Sequence, residues 1–178
     1  STGGAGHAAA DADQPEFAVL VPDGTEVLPL FVSAEMESFE TTLGIHELMF
    51  AASNISVGAG TSTLFTGDGG AADGRAMNMR MDKPYSSACT VRHTYSGNGT
   101  DPLTAGNFIE LGREAGNFDS DAATSGIKGL SLICSAMNQP MPVIKDIGTL
   151  LGYAGGGTAA NYYFKSVWAE NAEGWLSS

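Results

Sequence analysis

EFAVLVPDGTEVLPLFV, Glu16 to Val32, holds the plainest structural signal in the chain. Two apolar runs rich in Val, Leu and Phe flank Pro22-Asp23-Gly24. Branched and aromatic side chains suit a pleated strand. Proline fixes φ, aspartate bonds its own backbone and glycine enters positive φ freely, so the three together suit a tight reversal. The stretch predicts two strands joined as a hairpin. Pro29, inside the second run, has no amide to donate, which points to an edge strand or a bulge there.

Working outward, ACTVRHTY at 88–95 alternates Cys89, Val91, His93 and Tyr95 against Ala88, Thr90, Arg92 and Thr94, a strand period. RAMNMRMD at 75–82 places Met77, Met79 and Met81 at period two. GIKGLSLICSAMN at 126–138 is apolar enough for a buried strand. NYYFKSVWA at 161–169 carries aromatics on both of its faces, so a strand covered on both sides is expected there. Two stretches read as helices instead. Phe39, Leu43, His46 and Phe50 recur at four, three and four residues, and Val143, Ile147, Leu150 and Leu151 share a helical face between Pro142 and Gly152. The small-residue stretch 54–74 reads as a loop. The class is therefore mainly β, an antiparallel sandwich or barrel-like fold with one or two short helices, with α+β as the alternative. Residues 1–14, STGGAGHAAADADQ, lack hydrophobic periodicity and read as a flexible arm before a single domain at 15–178.

Composition narrows the partners. The chain has 178 residues, 43% hydrophobic, enough for a sizeable core. Its net charge of −12 comes from 20 acidic residues against only eight basic ones, while total charge is a low 16%. With its basic residues scattered singly, the chain offers no electrostatic footprint for nucleic acid, nor for anionic membrane. No apolar run reaches the length of a spanning helix, about 18 residues or more. Neither nucleic-acid binding nor membrane insertion is expected, and no cofactor motif is present.

Spacing tests each candidate chemistry. His46-Glu47 opens the zinc-hydrolase pattern H-E-x-x-H, but the second imidazole's place is taken by Phe50. On its apolar stripe, His46 reads as a core histidine. The glycine-rich stretch 54–74 has no lysine of a phosphate loop, since none occurs before Lys83. Met77, Met79 and Met81 offer thioethers of the kind Cu(I) prefers. Along a strand, however, the outer two are roughly 13 Å apart, and packing is the favoured reading. Asp119 and Asp121 imitate the start of a calcium loop, yet Ala122 stands where the turn glycine belongs and Lys128 where the bidentate Glu belongs. Ser125 and Lys128 match S-x-x-K without its companion elements, and G-x-S-x-G is absent. Glu110 and Glu114 offer only an unassigned carboxylate pair. Cys89 and Cys134 read as two buried thiols, the alternative being one disulfide that closes a loop of about 45 residues.

The reading that survives is a non-enzymatic structural subunit of a large extracellular assembly: a virion capsid, decoration or tail protein. Its partners are other copies of itself or neighbouring structural proteins, and it is expected in the virion or outside the cell. Tyr162, Tyr163, Phe164, Trp168 and Trp175 are the candidate interface anchors, because large rigid aromatics carry disproportionate binding energy. The alternative is a secreted or periplasmic metal- or ligand-binding module using the Met77, Met79, Met81 face with His46 and His93. A third reading is a hydrolase whose site has no recognised motif.

Overall fold

The computed structural model describes residues 14–38, 44–57, 61–64, 87–96, 102–103, 106–118, 130–155 and 161–175. Among the described residues nine strands follow one another: β1 (Phe17–Leu20), β2 (Thr25–Ser38), β3 (Gly44–Ser53), β4 (Thr61–Leu64), β5 (Thr90–Ser96), β6 (Phe108–Phe118), β7 (Ser131–Ser135), β8 (Thr149–Gly155) and β9 (Asn161–Ala172). They form two antiparallel sheets, one of six strands in the order β4-β5-β1-β8-β3-β6 and one of three in the order β7-β2-β9. The mainly β class holds, and among the described residues there is no helix.

A shared core joins the sheets. Val19, Leu48, Phe50, Val91, Leu111 and Leu150 of the larger sheet meet Val27, Val32, Ala34, Leu132 and Cys134 of the smaller one. Burying each large aliphatic or aromatic side chain there contributes roughly 1.5–3 kcal/mol. Phe164 on β9 sits at the centre of the contact. Its ring stacks on Phe17 at 5.9 Å and meets Phe50 edge-on at 6.1 Å. Gly152 on β8 makes the room, because a Cβ there would lie 3.0 Å from ring carbons of both Phe50 and Phe164. A second cluster, Ala18, Met49, Ala51, Val57, Tyr95, Leu151 and Tyr153, lies on the other face of the larger sheet. Its central strands are thus covered on both sides.

Several expectations are corrected. The turn at Pro22-Asp23-Gly24 exists, with the Thr25 amide donating to the Pro22 carbonyl at 3.3 Å and Gly24 at φ 74. It does not close a hairpin: β1 pairs with β5 and β8, while β2 pairs with β7 and β9. The turn is a corner between sheets, and turn chemistry reverses the chain without choosing the partner. Pro29 lies in the central strand of the smaller sheet, not at an edge, and the expected bulge is there, between Pro29 and Phe31.

In place of the helix expected at 37–52, Glu37 and Ser38 end β2 and the chain from Gly44 onward is strand β3; Phe39 and Leu43 lie outside the described residues. Every residue from His46 to Ser53 is buried. A strand covered on both faces shows no alternation, so chance helical spacing stood unopposed. The same happened at β8, whose burial is near-continuous, while Val143 to Gly148 form an irregular lead-in in which Asp146 and Ile147 both take positive φ. The buried strand expected at 126–138 is, at Ser131–Ser135, the half-buried edge strand β7, with Ser131 and Ile133 exposed, while residues 126–129 lie outside the described residues. The stretch read as a loop after Asn54 contains edge strand β4, paired with β5. β9 is covered on one side only, because Tyr163 is open to solvent.

Candidate functional site

The outer face of the smaller sheet is built by register. On β2, Val32, Ala34 and Met36 point into the core, so Phe31, Ser33 and Glu35 point outward. Cross-strand pairing sets them in three rows: Ser135–Phe31–Val167, Ile133–Ser33–Lys165 and Ser131–Glu35–Tyr163. Ile133 is 56% exposed and Tyr163 59% exposed. The Lys165 ammonium lies 5.6 Å from the centroid of the Phe31 ring. Leu30, the extra residue at the bulge, is also exposed, and its carbonyl accepts the Ala136 amide, which brings Met137, 94% exposed, beside the same face. Of the seven exposed large hydrophobics among the described residues, Ile133 and Tyr163 lie on this face, on its two edge strands, and Leu30 and Met137 lie in the chain at its Phe31 end. An open face that carries such groups marks an interaction surface more than single exposed residues do.

The proposed aromatic anchors divide. Tyr162, Phe164 and Trp168 turn inward and pack on the core, whereas Tyr163 and Trp175, the latter 69% exposed, face solvent. The Tyr162 hydroxyl hydrogen-bonds His46 Nδ1 across the sheets at 2.8 Å. His46 is buried, as a core histidine should be, but on a strand. His93 lies on β5, three strands away in the same sheet, so the two imidazoles do not share a ligand set. Met77, Met79, Met81, Asp119, Asp121, Ser125 and Lys128 lie outside the described residues, as does the arm apart from Gln14.

Polar clusters elsewhere fasten elements together. Glu170 on β9 accepts from the Ser87 hydroxyl, from the Ala88 amide at 2.7 Å and from Trp168 Nε1 at 3.3 Å. This ties the segment before β5 to the edge of the smaller sheet. Cys89, next along, is fully buried; desolvation and the Glu170 charge push its thiol up to about 12. Burial also raises Cys134, and both cysteines are free thiols. On the other side, Arg113 on β6 donates to Glu47 and, at 2.8 Å, to Glu110, while its Nη2 also lies 3.0 Å from Met49 Sδ. Its guanidinium is held more firmly charged, first by the Glu110 hydrogen bond, so Glu110 serves an ion pair.

At the corner turn, the carboxylates of Asp23, Asp146 and Glu173 come within 4.8 Å of one another, all exposed, with Lys145 Nζ 3.8 Å from Asp146. The Glu173 amide donates to the Gly24 carbonyl at 3.0 Å, which holds two of the three segments together. Asp146 also lines an open groove of about 410 Å³ with Asn54, Asn107, Phe108 and Pro142. This grouping was invisible to sequence spacing, since its members are 123 and 27 positions apart in the chain (146 − 23 and 173 − 146). Oxygen donors of this kind suit hard cations and not Cu(I).

The fold and its open face define a two-sheet antiparallel β-sandwich with an exposed, partly apolar sheet surface. Compared with protein-family models, with curated proteins and with solved structures, the chain finds no match.

Proposed function

We propose that the protein is a non-enzymatic structural subunit of a large extracellular assembly, most simply a virion capsid, decoration or tail component, that associates with copies of itself. The observation that carries this reading is the open outer face of the smaller sheet, which exposes Ile133 and Tyr163 and has exposed Leu30 and Met137 at its end. Leaving such side chains in water forgoes roughly 25 cal/mol per Å² of apolar area that association would recover. Composition supports it: few charges, many small residues and no basic patch fit a shell or fibre surface that does not touch packaged nucleic acid. Trp175 supplies a second exposed aromatic.

The test is the mass of the purified protein in solution across a concentration series, by light scattering, with negative-stain images of the same samples. Closed shells, rings, filaments or defined oligomers are expected. A monomer at millimolar concentration that also fails to decorate preformed shells would remove the reading.

A further inference from the structure

We infer that the outer face of the three-stranded sheet pairs with the same face of a second copy about a two-fold axis running through Tyr163, Ser33 and Ser135. This rests on the self-association reading above and adds the surface, the partner and the register.

Charge limits where two copies can meet. Two copies that each carry −12 repel on average, so they meet most easily where the local charge sums to zero and the pattern complements itself. The nine outward positions carry one anion, Glu35, and one cation, Lys165, both exposed. A two-fold contact sets each position against its own mirror position, which decides which axis is allowed. An axis along β2 sets Glu35 against Glu35. An axis across the strands through Ser33 sets Lys165 against Lys165. The diagonal through Tyr163, Ser33 and Ser135 exchanges Glu35 with Lys165, so each copy's anion faces the other's cation, twice.

The same diagonal sorts the apolar groups. It exchanges Ile133 with Phe31, giving two more apolar contacts, and brings Tyr163 against the partner copy's Tyr163. Ser33, short and buried between Ile133 and Lys165, leaves the centre low enough for close approach. Strands lie about 4.8 Å apart and same-face residues about 6.7 Å apart, so a diagonal axis crosses the two sets of strands steeply, near the orthogonal class of sheet packing. From these spacings the nine positions cover only roughly 300 Å² of sheet. A stable dimer buries about 800 Å² per partner, so even with Leu30 and Met137 joining at the margin the pairing is concentration-dependent.

Sedimentation velocity across a concentration series tests this on wild type, Glu35→Lys, Lys165→Glu and the double swap, with circular dichroism and melting on the same samples. Each single swap sets like charges together and is expected to weaken association at least tenfold; the double swap is expected to return it to within threefold of wild type. Tyr163→Cys adds a readout independent of charge. Native Cys89 and Cys134 are buried, so a short bismaleimide, able to bridge backbones that face-packed sheets hold about 10 Å apart, is expected to link copies through position 163 much faster than for Glu114→Cys, exposed on β6. If wild type associates but neither single swap weakens it and the Tyr163→Cys variant links no faster than the control, the face is wrong while self-association stands. If the singles weaken association and the double swap does not restore it, the diagonal register is overturned. If wild type stays monomeric throughout, self-association itself fails, and this pairing with it.

Discussion

Cys89 shows how far burial can remove a residue from chemistry. With its thiol pushed up to about 12, the native protein holds almost no thiolate at neutral pH, so the residue is not a nucleophile. The expected outcome is that a thiol reagent at pH 8 labels Cys89 only after denaturant unfolds the chain; labelling of the native protein at the rate of a free thiol would contradict this. Linkage gives the sign for stability. Between the ordinary thiol value near 9 and the folded value near 12, the unfolded state loses a proton that the folded state keeps. Stability from this group is therefore complete below pH 9 and declines as pH climbs through that window, which urea titrations at pH 8 and 10 would reveal. Tyr162 is the complementary case. Tyr162→Phe removes the hydroxyl bonded to buried His46 and should cost about 1–2 kcal/mol by urea unfolding. No loss would mean that water or another group replaces the bond. His46 was legible as a core residue from its apolar neighbours; its partner, 116 positions away, was not.

Strands β3 and β8 illustrate why pattern fails in the middle of a sandwich. Their residues are buried on both faces, so the period of two that would mark a strand is erased. Where only one face is covered, as at edge strand β7, burial alternates from residue to residue. Gly152, a helix stop by its spacing, works as a gap in β8 for two phenylalanine rings. Gly152→Ala should therefore destabilise the fold by about 1–3 kcal/mol, read as a lower melting temperature. Just before β8, Ile147 holds φ 68, a conformation unfavourable for a branched side chain, and its own side chain is exposed. Ile147→Asn relieves that strain, since asparagine tolerates the left-handed region. The expected gain is about 0.5–1 kcal/mol, or a melting temperature higher by about 1–3 °C. A decrease would show that Ile147 packs well enough to outweigh its backbone cost.

For the molecule as a whole, charge and apolar surface compete. The −12 of each copy acts at a distance and is screened by salt, whereas contacts within a closed face are screened much less. Self-association is therefore expected to tighten between 50 and 500 mM sodium chloride in light scattering, on the order of the Debye-length change that salt brings. Weakening over that range would mean that the Glu35–Lys165 pairs outweigh the overall repulsion.

Composition and local pattern were enough to specify a β-rich chain poor in basic residues, a reversal at Pro22-Asp23-Gly24 and an irregularity at Pro29, because each depends on side-chain chemistry within a few residues. Which strands pair was decided only by tertiary packing. The corner at Gly24 sends β2 to the other sheet, where Val27, Val32 and Ala34 bury in one core with Val19, Leu48, Phe50 and Leu150 of β1, β3 and β8. That choice placed Ile133, Ser33, Lys165, Glu35 and Tyr163 on one open face. Their meeting rests on antiparallel register between segments about a hundred residues apart, a long-range property that no local spacing encodes.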